Sequence, residues 1–215
     1  MLVVHAELPW VRSLVLLHPS AFRPAHPPRT VNNIYFDTPN FDMLRDGIDG
    51  LSFRVKTRIR WYGDLTGFVE PVLQLKRREN LDGYKEETSL RSMQILSRHP
   101  WTDVLKRVAP TRPQPVDVML QGLHPTLINQ YRRDYFASMC GRFRLTLDYN
   151  LRYFDQTLSS LVNLTRPVPS QPYFVIELKY DPLQDTIGHD LASWFPFRVT
   201  RSSKYKTGMC GGTPT

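Results

Sequence analysis

Within the Leu51–Tyr62 stretch every second residue from 54 to 60 is a cation: Arg54, Lys56, Arg58 and Arg60. On a strand, next-but-one side chains share a face and stand roughly 7 Å apart. The four charges therefore form a row that repels itself. The alternate positions, Phe53, Val55, Thr57, Ile59 and Trp61, are aromatic or largely β-branched, as a strand with one buried face requires. Such a row is either a solvated outer face or one wall of a site for a linear polyanion. Period-two patterning elsewhere extends it. Lys76, Lys85, Arg133, Arg144 and Lys179 fall on the polar faces of other strands, with Glu87, Asp148 and Glu177 among them.

Composition narrows the class. The 215 residues are 41% hydrophobic, which suits one globular domain spanning residues 1–215. A net charge of +8, from 28 Lys and Arg against 20 Asp and Glu, favours an anionic partner. Nucleic acid, anionic lipid and phosphate-rich molecules all meet that description, but no recognition helix or stacking-aromatic signature points to nucleic acid. The two cysteines, Cys140 and Cys210, have no metal-binding spacing and suit free thiols in a reducing cytoplasm. No signal peptide opens the sequence and no apolar run reaches the roughly 18 residues of a membrane span. A membrane-protein partner stays open.

The elements that must position these charges are mostly strands. Strands are expected at Met1–Val4, Val31–Asp37, Leu51–Tyr62, Phe68–Arg78 with an interruption at Pro71, and Tyr84–Leu90. Others are expected at Thr126–Ala137, Arg142–Phe154, Tyr173–Tyr180 and Phe197–Thr200. Helical spacing marks a segment through Val11, Leu14 and Leu17, a short helix capped by Thr38, two between Ser92 and Val108, one at Val116–Leu123 and one at Leu183–Trp194. Pro24, Pro27 and Pro28 make Pro19–Arg29 a loop. The pattern predicts an α+β fold: a closed antiparallel barrel of roughly eight strands with helices packed outside. If the apolar strand faces meet those helices, the charged faces turn inward and line a tunnel. The pattern alone leaves the inward and outward directions open.

Four segments in order, Ile34-Tyr-Phe-Asp-Thr38, Arg58-Ile-Arg-Trp-Tyr-Gly63, Val175-Ile-Glu-Leu-Lys179 and Ser203-Lys-Tyr205, resemble the VTC-type polyphosphate polymerase domain. That domain belongs to the triphosphate tunnel metalloenzymes, which include the CYTH proteins. The resemblance implies a barrel whose tunnel binds ATP, triphosphate or polyphosphate with a divalent metal (Mn or Mg), and phosphoryl transfer from ATP to a growing phosphate chain. A non-catalytic polyphosphate-binding module, an inorganic triphosphatase and a cyclase share the same tunnel. By motif, Arg58, Arg60, Lys76, Lys85 and Lys204 are implied as the catalytic cations. Arg133, Arg144, Lys179, Arg201 and Ser203 contact phosphate, with Arg54 and Lys56 added by periodicity, and Glu177 holds metal. The chemistry suits the residues. Phosphoryl transfer asks mainly for positioning and charge stabilisation, arginine forks match phosphate oxygens, and no side-chain nucleophile is needed. Two departures stand out: the sequence opens at Met1-Leu-Val-Val-His without the acidic-x-basic pair of the implied first strand, as if that strand were truncated, and Gln74 replaces the glutamate of the E-x-K strand.

Overall fold

A computed structural model of the chain describes residues 2–4, 7–79, 82–111, 116–200 and 202–211. Eight antiparallel strands form one sheet. In spatial order they are β1 (Leu2–Val4), β10 (Phe174–Lys179), β9 (Arg144–Asp155), β8 (His124–Ala137), β2 (Arg23–Asp37), β3 (Phe53–Tyr62), β5 (Val72–Glu79) and β6 (Asp82–Ser89). A two-stranded ribbon, β4 (Gly67–Val69) with β7 (Met93–Ile95), stands apart.

Among the described residues the sheet curls strongly into a half-barrel. Among the described residues β1 and β6 are edges with one partner each. The expected antiparallel barrel is thus present among the described residues as a strongly curled half-barrel, since strand count does not fix whether the outer strands meet. The curl shows at Ser203, which accepts a 3.0 Å hydrogen bond from Lys56 on β3. The next residue, Lys204, reaches Asp148 on β9. Two strands, β8 and β2, lie between β9 and β3 in the sheet.

Each strand turns its apolar side to the convex face. There Ile34, Ile59, Trp61, Leu73 and Ile128 form one core under α3 (Trp101–Lys106) and α4 (Val116–Leu120). Phe136, Leu145, Leu147 and Ile176 form a second under α1 (Leu8–Leu17) and α5 (Asp185–Ser193). Trp61 is fully buried and its indole N–H donates to the Asp64 carbonyl at 2.8 Å. The helices are not all outside. On the concave face α6 (Lys204–Met209) closes one end, where Tyr205 joins Tyr35, Leu127, Tyr153, Tyr173 and Val175 in a third core. Gly208 makes that approach possible, because a Cβ there would stand 2.5 Å from Leu127 Cδ2 and 2.6 Å from Tyr153 Cδ1.

Several elements differ from expectation for local reasons. The proline-rich 23–30 stretch is not a loop but the outer half of β2, paired with β8 alone because β3 reaches only Val31. Prolines are tolerated where a strand flank needs no donor. Pro71 divides the expected 68–78 strand between β4 and β5. The first of the two helices expected after Ser92 is the strand β7, and no helix or strand of the named set covers Phe197–Thr200. The helix expected to start at Pro39 is α2 (Asp42–Asp49), starting three residues late. Its cap comes from Asp37, whose carboxylate accepts the backbone N–H groups of Thr38, Met43 and Leu44 at 2.8 to 2.9 Å. Within β9, Asn150 adopts φ 53 beside a register shift between Gln130 and Arg132 on β8. This bulge inverts the alternation, so Tyr153 joins the concave face while Leu145 and Leu147 stay convex.

Candidate functional site

The concave face gathers the cations. Register shows how: Arg58 pairs with Gln74 and Gln74 with Glu87; Lys56 with Lys76 and Lys76 with Lys85; Arg54 with Arg78. On the other wing Arg144 pairs with Lys179, and Arg29 with Arg133. Like charges directly opposite across strands are destabilising, and here they recur over most of one surface. Twelve of the thirteen sequence-derived site residues lie in described positions; Arg201 lies outside them. Arg54, Lys56, Arg58, Arg60, Lys76, Lys85, Arg133, Arg144, Glu177 and Lys179 share this face, and Ser203 and Lys204 reach it from the start of α6.

The two motif arginines are held at fixed angles. Arg60, buried, donates through Nε to Asn33 Oδ1 at 2.8 Å and through one terminal nitrogen to the Tyr131 hydroxyl at 3.2 Å. Arg58 donates through Nε to Gln74 Oε1 at 2.8 Å and through Nη1 to Tyr35 at 3.4 Å. Each fork keeps one terminal nitrogen without a protein partner among the described residues. Asn33 in turn donates to Asn129 Oδ1 at 2.7 Å, and the buried Asn129 Nδ2 has no partner among the described residues; on β9 the buried Thr146 Oγ1 has none either. Buried orphan donors are costly, and polar oxygens from a ligand would satisfy them.

Asp148 organises the other wing. Fully buried, it accepts a two-pronged fork from Arg133 at 2.5 and 2.7 Å and an ion pair from Lys204 at 2.6 Å. Burial alone would push its carboxyl up, but Lys204 and Arg133 hold it below the ordinary value. Burial would push the Lys204 amine down, and Asp148 keeps it above its ordinary value. Both cations are thus kept charged, and Lys204 stands 4.9 Å from the centre of the Tyr131 ring. Glu177 is held more loosely, with Lys179 at 3.7 Å and Arg133 at 3.9 Å. Glu87 is engaged by Gln74 and by Lys85, which places a carboxylate beside the position where Gln74 replaces glutamate. Lys56 is half-buried; burial and then the repulsion of Lys76, Arg54 and Arg58 hold its amine below the ordinary value, against an opposing pull from Tyr35.

Sequence reading missed the supporting set: Asn33, Asn129, Tyr131 and Tyr35 were not assigned, and Asp148 was placed on the polar face without a role. The periodicity that put Tyr35 and Asn33 opposite Arg58 and Arg60 was available. The pairing of Asp148 with Lys204 was not, because it joins two elements that no local pattern connects.

No helix in the described residues is long and apolar enough to cross a membrane. None of the curated proteins compared matches the chain. Among solved structures, the PH1819 protein of Pyrococcus horikoshii OT3 shares the fold at TM-score 0.51 and 12% identity, covering 95% of this chain and 94% of that one. A Hippeastrum protein assigned as an adenylyl cyclase, with a dominant triphosphatase activity described for it, aligns at TM-score 0.48 and 17% identity over 98% and 94%. An assigned adenylate cyclase from Vibrio parahaemolyticus aligns at 0.49 and 14% over 95% and 94%. The VTC domain model matches residues 15–211, a span that takes in both wings of the cationic face and α6, and the chain belongs to the VTC domain family.

Proposed function

We propose that the concave face binds a linear phosphate chain, as triphosphate, ATP or polyphosphate, and that it transfers a phosphoryl group from ATP to the end of a growing chain. One observation carries this: the cross-strand stacking of like charges, Lys56 with Lys76, Lys76 with Lys85, and Arg144 with Lys179. A sheet left with such pairs is relieved by a bound polyanion that lies between them. In the closed tunnel implied for the family, the β1 and β6 edges approach one another around that chain.

The residues then divide the work. Arg58 and Arg60, each pinned by two hydrogen bonds, present one remaining nitrogen to phosphate oxygens without losing side-chain freedom on binding. Lys204 and Arg133, held charged by Asp148, face them from the opposite wing. Charge spreading over the equatorial oxygens of the transferred group meets fixed donors on both sides, the form of stabilisation phosphoryl transfer needs. Among the described residues no group of three His, Cys, Asp or Glu side chains gathers into a metal cage. The donor set instead fits a Mn or Mg ion carried in by phosphate oxygens, which needs one or two carboxylates from the protein. Glu177, with both oxygens only loosely engaged, would hold it; Glu87 is a second carboxylate on the face, and Asp148 is already committed to Arg133 and Lys204. The ion would supply charge neutralisation between neighbouring phosphates.

Growth of a phosphate chain and hydrolysis of triphosphate differ in the acceptor, a terminal phosphate oxygen or water, and the cationic walls serve both. The test is to incubate the protein with ATP and manganese and to resolve products by gel and by released phosphate. Long chains identify the polymerase, free phosphate alone the triphosphatase, and neither, with tripolyphosphate still bound, a binding module. Absence of tripolyphosphate binding altogether removes the proposal.

A further inference from the structure

Beyond Arg60 and Arg133 the concave face changes character. The next residues on it are Tyr62 on β3 and Tyr135 on β8, and Arg29 on β2 stands between them. The Arg29 guanidinium carbon lies 5.5 Å from the centre of the Tyr62 ring and 5.8 Å from that of Tyr135. His26 meets Tyr135 edge-on at 5.8 Å. Arg29 makes no ion pair among the described residues, and the Tyr62 side chain is 49% exposed. The opposite end of the face holds the lysine row and Arg54, with no such ring pair. An exposed ring, Tyr62, and a half-buried one, Tyr135, bracketing a cation at one mouth of a phosphate-binding face are absent from the three hydrophobic cores. Stacking of a flat heterocycle on rings and guanidinium, by contrast, uses all three.

We infer that Tyr62 and Tyr135, with Arg29 between them, form a nucleobase platform that takes the base of a nucleoside triphosphate. This rests on the reading that the face holds a phosphate chain, and it adds a direction: the nucleoside end lies at the tyrosine mouth and the phosphates run from Arg60 and Arg133 toward Lys56, Lys76 and Lys85. The platform reads a π-face and not a base edge, so it accepts any of the common nucleotides and favours the larger purines.

Isothermal titration of ATP and of tripolyphosphate, in the intact chain and in Tyr62→Leu, Tyr135→Leu, Tyr62→Phe and Tyr135→Phe, tests it without requiring turnover. The expected result is a ratio of ATP to tripolyphosphate affinity that falls by about 5- to 150-fold in the leucine variants and is retained in the phenylalanine variants. An unchanged ratio in the leucine variants overturns the platform while leaving the phosphate site standing. A loss in the phenylalanine variants equal to that in leucine also overturns it, since the rings then do not act by stacking. If the unaltered chain binds neither ligand, the phosphate reading falls first and the platform with it.

Discussion

Lys204 Nζ, at the start of α6, lies 2.6 Å from Oδ2 of Asp148 on β9, and the Arg133 fork closes on the same carboxylate at 2.5 and 2.7 Å. One buried anion thus serves two cations from different elements, leaving a net positive charge facing the groove. The pairing also ties α6 to the sheet, so the anion that keeps the cations charged sets their position as well.

Asp148→Asn keeps the shape and removes the charge. Two buried cations then lose their counter-ion, a change of the kind that costs about 3–5 kcal/mol. The pH dependence has a definite sign. The Asp148 carboxyl in the fold lies below 3.8, so its contribution is fully present above 3.8 and is lost as pH falls through the lowered value. The Lys204 amine lies above 10.5, so its contribution is present below 10.5 and is lost as pH rises through the raised value. The gap in urea-unfolding free energy between wild type and variant should be widest near neutral pH and narrow toward both limits, at low pH as Asp148 is protonated and at high pH as Lys204 loses its charge while Arg133 keeps its own. A gap that does not narrow at either extreme would contradict the assignment.

How much of this was open to sequence reading follows from the range of each interaction. Arg54 to Arg60 declared their common face because alternation is local. The direction of that face, toward the groove, needed the helices to be placed over Ile59 and Trp61. Asp148 looked like one more polar residue on a strand, since its partners arrive from α6 and β8. The 144–155 strand shows unbroken alternation in sequence, and the bulge at Asn150 that turns Tyr153 inward depends on pairing with β8. The prolines at 24, 27 and 28 read as loop because their free flank, with no third strand beside it, is a property of the sheet and not of the segment.

Gly208→Ala tests whether α6 must lie this close. The added methyl would meet Leu127 and Tyr153 at 2.5 and 2.6 Å, and overpacking of this kind costs roughly 1–3 kcal/mol. Because Ser203 and Lys204 ride on the same helix, tripolyphosphate affinity should fall along with the melting temperature. A variant that loses stability but binds tripolyphosphate as tightly as before would place the phosphate grip elsewhere on the face.

Arg58→Ala combined with Arg60→Ala removes two pinned forks. Hydrogen bonds to charged groups contribute about 1.5–3 kcal/mol each, so tripolyphosphate affinity should drop by at least about a hundred-fold. Stability should hold better than in Asp148→Asn, since neither arginine is a counter-ion to a buried carboxylate. Titration calorimetry and urea unfolding on the same samples separate the two effects, and retained affinity would remove these arginines from the site.

Lys56 makes binding a proton-linked event. Burial and its cationic neighbours hold its amine below 10.5 in the free protein, whereas a bound phosphate chain favours the charged form. Binding therefore raises this pKa and takes up protons when pH is near the depressed value, so tripolyphosphate affinity should fall as pH rises through it, below 10.5. Titrations in buffers of different ionisation enthalpy measure the uptake directly. Lys56→Met should bind more weakly and show a smaller uptake; Lys179, depressed by burial in the same direction despite Glu177, accounts for a remainder. Proton uptake identical in wild type and Lys56→Met would mean that Lys56 is already fully charged before the ligand arrives, and its hydrogen bond to Ser203 would then be structural.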